Sequence, residues 1–199
     1  RESLAATICK PAEAVGLTVD PPLLGTLIDE VCNDLGKLPL LEYALKETWR
    51  RREGQRLTLN AYGQAGGIDG AVAQRANQIF TSLSQAQQAA ARRLFVSLVT
   101  PGEGREDTRA RAVYPEQDAA IAAVIDKFSA ADARLLVTGE DAPSARRSVD
   151  LSHEAMIREW DLLKNWIETN REALRRREHI RARLRQWEEE DRDSTLLLP

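Results

Sequence analysis

The sequence predicts a mainly α fold: a helical bundle, then a helical domain closed by a small β-hairpin, then a charged helical connector. Three observations carry this. Apolar residues recur at three- and four-residue spacings along most of the chain. Two short β-rich runs flank a polar turn late in the sequence. The final segment sets a thin apolar stripe in a dense Arg/Glu background.

The bundle comes first. Asp20 followed by Pro21 gives an N-cap and a proline at the first helical position; Leu24, Leu27, Ile28, Val31 and Leu35 then recur at helical spacing until Gly36 stops the helix. Pro39 restarts a helix whose apolar face is Leu41, Ala44, Leu45 and Trp49. Arg50, Arg51 and Arg52 crowd its last turn, where cations suit the helix dipole. Asn60 is the expected cap of a short helix running to Gly66-Gly67, a natural hinge. Residues 1–66 therefore read as one helical bundle.

Beyond the glycines, helices alternate with strand signals. Gly70–Leu83 is helical through Val72, Ala76, Ile79, Phe80 and Leu83. Ser84 and Gln87 form a capping-box pair at the head of a helix carrying Ala91, Leu94, Phe95, Leu98 and Val99, and Pro101-Gly102 ends it. Thr108–Tyr114 reads as a short strand, and a third helix turns Ile121, Val124, Ile125 and Phe128 inward. Leu135–Thr138 and Ser148–Leu151 flank the polar turn Gly139–Arg147, a hairpin with a long tip. Three helices, a short strand and a terminal hairpin describe a winged-helix domain over 67–168. Ser152 is expected to cap a helix with Met156, Trp160, Leu163 and Ile167. Asn170 is expected to cap another, with Ala173, Arg177, Ile180, Leu184 and Trp187 as a packing seam in the connector, 169–199.

Composition narrows the function. With 28 Lys+Arg against 31 Asp+Glu, the formal charge of -3 supplies no basic field to gather nucleic acid. No run approaches the roughly 18 apolar residues of a membrane span. The absence of an initiator Met and the apolar ending Leu196–Pro199 suggest a piece of a longer chain. Cys9 and Cys32 fall among apolar helical positions without CxxC spacing and read as reduced core thiols of a cytoplasmic protein.

Catalytic motifs are missing. The sequence has no G-x-x-x-x-G-K-[ST], its two histidines, His153 and His179, have no companions at metal-ligand spacing, and Gly102-Glu103-Gly104 opens no helix. No catalytic residue and no metal ligand is assigned, and this stretch by itself is not expected to be an enzyme. A winged helix raises DNA binding, but the third helix, Asp118–Phe128, has one cation outnumbered by acids and an alanine-rich surface. Such a surface suits packing on another protein domain.

At these residues a resemblance emerges. Gly36-Lys37-Leu38-Pro39-Leu40-Leu41 resembles the Gly-Leu-Pro-Leu signature in the helical domain of NB-ARC and other STAND NTPases, and Leu151-Ser152-His153-Glu154 resembles the Met-His-Asp signature ending their winged helix. Thr58–Tyr62, Gly66–Ala71, Glu106–Arg109 and Ala133–Leu136 are similar to the novel STAND subgroup, which in bacteria commonly carries WD-type repeats after the connector. The resemblance implies a nucleotide switch. Pro39 would contact the base and His153 the ADP β-phosphate, with ADP/ATP and Mg²⁺ held mainly by the parent protein's P-loop domain and no cofactor held by this stretch alone. A rigid donor-free proline face and an imidazole donor suit those tasks. Pro39 as a plain helix-start residue and His153 as a packing residue under the wing remain the structural alternatives. Lys37 stands where the signature has leucine, and Glu154 where it has aspartate.

The leading expectation is the regulatory part of a STAND signalling NTPase, relaying nucleotide state to domain rearrangement and oligomerisation. Its implied partners are an upstream P-loop domain, a downstream repeat domain and a second copy of the chain, with neither nucleic acid nor membrane expected. The alternatives are a winged-helix DNA-binding regulator and a protein-docking adaptor with no nucleotide role.

Overall fold

Helix-forming periodicity wins over most of the chain. In the computed structural model, which describes residues 2–33, 37–102, 104–114, 118–141 and 146–189, the protein is mainly helical with small sheets. The chain divides into two compact units, Arg1–Ser82 and Leu83–Pro199.

The first unit holds α1 (Glu2–Ala14), β1 (Thr18–Val19), α2 (Pro21–Asn33), α3 (Leu38–Arg50), β2 (Arg56–Leu57), α4 (Leu59–Gln64) and α5 (Gly67–Thr81). β1 and β2 pair in parallel, Thr18 with Arg56 and Val19 with Leu57. Asp20 starts α2 as expected, its carbonyl accepting from the Leu24 N–H, while its carboxylate takes a fork from Arg56 at 3.0 and 2.8 Å. Leu23, Leu27 and Val31 are buried; the predicted Leu24 and Ile28 are only half-buried, and Leu35 and Gly36 lie outside the described residues. α3 buries Leu41 and Ala44 of its expected face and half-buries Leu45, and departs from it at Trp49. Tyr43, Ala44, Glu47 and Thr48 are buried, and Trp49 is 45% exposed under the Arg52 guanidinium. Arg50 and Arg51 do more than sit at a helix end: both pair with the buried Glu47, at 2.6 and 2.9 Å, which offsets the cost of burying its charge. The cap of α4 is Thr58, whose hydroxyl accepts from the Ala61 N–H at 3.0 Å; the predicted cap Asn60 instead donates to Glu53. Gly66 caps α5 in the left-handed region at φ 91°, where a Cβ would lie 2.9 Å from the Gly70 carbonyl carbon. α5 packs on α3 and buries Ile68, Ala71, Val72 and Ala76, so the unit continues past the glycine pair to Ser82. The thiols depart from expectation too: Cys9 is half-buried and Cys32 is exposed.

The second unit holds α6 (Gln85–Ser97), β3 (Val99–Thr100), β4 (Thr108–Arg109), β5 (Ala112–Val113), α7 (Ala119–Ser129), β6 (Leu136–Asp141), β7 (Arg146–Leu151), α8 (Ala155–Glu159) and α9 (Asp161–Glu189). The predicted capping box heads α6, with the Ser84 N–H on Gln87 at 3.1 Å and the Gln87 N–H on Ser84 at 3.4 Å. Thr108–Tyr114 is not one strand: β4 pairs with β3, and β5 pairs with β7. Asp118 caps α7, accepting from the Ala120 and Ile121 N–H groups. The hairpin strands are longer than expected, and the sheet order is β5-β7-β6; residues 142–145 of its tip lie outside the described residues.

Two predicted caps in the tail are corrected. Ser152 does not cap a helix; α8 starts after Glu154, and the extended backbone of Trp160 separates it from α9. Asn170 sits inside α9, donating to the Trp166 carbonyl, so connector and preceding helix are one element. Of the connector stripe, Ile180 and Leu184 are exposed and Ala173 faces solvent, while Leu174 is buried. The core of this unit is aromatic. Phe95 meets Phe128 at 4.8 Å and Trp160 at 5.0 Å, and Trp160 meets Trp166 at 5.3 Å, all edge-on.

Candidate functional site

The two residues marked by the sequence fall in different units. Pro39 occupies the first turn of α3, a position that needs no backbone N–H and favours its fixed φ; its side chain lies outside the described residues. The helix start it belongs to is fastened. Lys37 reaches Asp69 in the first turn of α5 at 2.6 Å, so the lysine that departs from the signature ties α3 to α5. Below that junction the Tyr62 hydroxyl donates to Glu30 on α2 at 2.7 Å and accepts from the Ile68 N–H at 2.9 Å. Burial, then the Glu30 carboxylate, pushes the phenol well above its ordinary value.

His153 lies on the turn between β7 and α8, half-buried. That turn is held from several directions. Leu151 is fully buried and its carbonyl accepts from Arg109 Nη1 at 3.2 Å. The Ser152 N–H donates to the Leu135 carbonyl at 3.1 Å, and the His153 carbonyl accepts from the Met156 N–H at 3.2 Å. Ser152 Oγ is shielded from solvent without a hydrogen-bond partner. The shielded, unused Ser152 hydroxyl, next in the chain to His153, is a donor that fits an anionic oxygen such as a phosphate's. Glu154, exposed at the cap position of α8, makes no side-chain capping bond. Gly102 serves structure instead: its N–H donates to Asp107, and a Cβ there would fall 2.0 Å from the Arg105 carbonyl oxygen.

Sequence reasoning missed the strongest polar constellation in the second unit. Arg171 on α9 grips Asp107 with a two-pronged fork at 3.0 and 2.9 Å and also holds Glu168. Burial works to raise the Asp107 value, but the Arg171 fork, the Gly102 N–H and the positive charge of Arg171 and Arg175 outweigh it and lower the carboxyl. Arg177 adds a bond to the Val99 carbonyl at 2.7 Å, and burial lowers its own value. The Glu168–Arg171 spacing of three was legible along the helix. The partner 64 residues away was not.

Among the described residues, no group of three or more His, Cys, Asp or Glu side chains suits a metal ion, and no helix is long and apolar enough to cross a membrane. In comparison with known proteins, the family model described as novel STAND NTPase 1 matches residues 1–195. No curated protein and no solved structure matches the chain.

Proposed function

The chain belongs to the novel STAND NTPase 1 family, and from that premise we propose that it is the regulatory part of a signalling NTPase, relaying ADP/ATP state into domain rearrangement and oligomerisation. The observation carrying this reading is the turn that holds His153: half-buried, pinned by Arg109 and Leu135, with the unused Ser152 hydroxyl one residue before it. In this reading His153 and Ser152 hold a phosphate oxygen of the resting nucleotide, and Pro39 offers its ring to the base. The nucleotide with its Mg²⁺ supplies the hydrolysable bond, and the parent protein's P-loop domain supplies most of the phosphate contacts.

The sheet order β5-β7-β6, with α6 and α7 on either side of β5 in sequence, supports a winged helix for the second unit. Its surface favours protein over DNA. α7 exposes Ala119, Asp126 and Lys127, and Arg93 is drawn to Asp118 at its start. Partners in the same polypeptide, including a downstream repeat domain, and a second copy of the chain fit that surface.

His153→Ala in the full-length parent tests the relay. Loss of a bond to a charged acceptor costs about 1.5–3 kcal/mol, which shifts a two-state ratio by roughly 10- to 150-fold. ADP release is expected to accelerate accordingly, with assembly in the absence of stimulus. Unchanged ADP release with a melted second unit would make the residue structural and end the proposal.

A further inference from the structure

The open face of the three-stranded sheet carries a second polar site, one that does not depend on the nucleotide reading. The pairing register puts Ala112 beside Val149 and Val113 beside Ser148, so Arg111 lies one step on, beside Asp150. On the other side Val137 pairs with Asp150 and Gly139 with Ser148. Residues directly opposite in an antiparallel pair share a face, so Arg111, Asp150 and Val137 form one rung, and Val113, Ser148 and Gly139 the next. Gly139 has no side chain to fill its place, and a recess of about 220 Å³ opens there, with Arg109, Arg111, Val137, Ser148 and Asp150 in its lining.

The charges around this recess do not cancel one another directly. Asp150 Oδ1 is shielded from solvent without a hydrogen-bond partner. Among the described residues, no ion pair joins Arg111 to Asp150, although they are neighbours across the strands. Arg109 is fixed by its bond to the Leu151 carbonyl, which leaves the rest of its guanidinium donors for the recess. A shielded carboxylate oxygen without a donor is costly. A ligand that brings a donor to Asp150 and an anionic group to the arginines would satisfy both ends at once.

We propose that this recess binds a small zwitterion, its ammonium group on Asp150 and its phosphate or carboxylate on Arg109 and Arg111. Ser148, buried at the floor, supplies a hydroxyl between the two ends.

The test is amide-resolved NMR titration of the whole 199-residue chain with three probes: O-phosphoethanolamine, inorganic phosphate and ethanolamine. Saturable shifts at Arg111, Gly139 and Asp150 are expected with O-phosphoethanolamine, and affinity at least about tenfold weaker with either half alone, the equivalent of about 1.4 kcal/mol. Asp150→Asn is expected to bring O-phosphoethanolamine down to the level of phosphate. Arg111→Gln is expected to weaken it at least about tenfold while amide dispersion stays native. Equal response to phosphate alone would reduce the recess to a simple anion site and overturn the proposal. So would an absence of saturable shifts, or unchanged binding in Arg111→Gln, a variant that decides the matter even if Asp150→Asn fails to fold.

Discussion

Arg171→Ala should loosen α9 from the β3–β4 segment, and its cost can be worked from the clamp. The fork to Asp107 consists of two charge-assisted bonds at 3.0 and 2.9 Å, with side-chain exposures of 23% for Arg171 and 15% for Asp107. Bonds to charged groups contribute about 1.5–3 kcal/mol when shielded, and partial exposure pulls the total toward the lower end. Removing Arg171 also strands the Asp107 carboxylate with only the Gly102 N–H, so we expect a loss of about 2–3 kcal/mol. Asp107→Asn should cost less, about 1–2 kcal/mol, because Arg171 keeps Glu168 and the amide oxygen still accepts. Urea unfolding followed by tryptophan fluorescence reads this, since Trp160 and Trp166 lie in the same unit. The pH dependence has a definite sign. The Asp107 value is lowered in the fold, so its contribution is full above the unfolded carboxylate value of about 4 and is lost as pH falls through the depressed folded value. Asp107→Asn should flatten that acid limb. A loss under about 0.5 kcal/mol for Arg171→Ala, or a larger loss for Asp107→Asn than for Arg171→Ala, would refute the clamp as a stabilising contact.

Tyr62→Phe removes the donor to Glu30 and the acceptor of the Ile68 N–H, and calorimetry should show a loss of about 1–3 kcal/mol. The raised phenol value means its stabilisation is present below about pH 10 and falls as pH climbs toward the folded value; the wild type should therefore lose stability more steeply in alkali than the variant. Gly66→Ala should cost about 1–3 kcal/mol in urea unfolding, because its φ of 91° and the 2.9 Å approach to Gly70 exclude a Cβ. Gly63→Ala, within α4 and with open space around it, is the matched control and should gain about 0.5–1 kcal/mol. Ser84→Ala should weaken α6 by about 1 kcal/mol through loss of the capping box, seen as faster amide exchange in its first turn.

By itself the sequence determined whatever rests on local spacing. Pro21 and Pro39 at helix starts, the Ser84–Gln87 capping box and the stripe Val124-Ile125-Phe128 are all decided within one or two helical turns, and all stand in the fold; Met156, Trp160, Leu163 and Ile167 are buried as expected, but on two helices split at Trp160 rather than one. The family signatures around Pro39 and His153 were legible for the same reason, being contiguous in the chain. Tertiary structure decided whatever depends on partners distant in sequence. On α3 the buried side takes in Glu47, paired with Arg50 and Arg51, while Trp49 stays exposed under the Arg52 guanidinium. Thr58 rather than Asn60 became a cap, since α4 starts at Leu59 and so takes Asn60 into its first turn, where it donates to Glu53. Thr108–Tyr114 split because β3 and β7 each recruited one end of it. Ser152 caps nothing because its N–H pairs with the Leu135 carbonyl at the end of the sheet and α8 begins only after Glu154, two residues on. The Arg171–Asp107 clamp and the recess between Arg111 and Asp150 join residues 64 and 39 positions apart, and only the packed chain brings such charges together, since periodicity carries no information about which strand or loop a helix will meet.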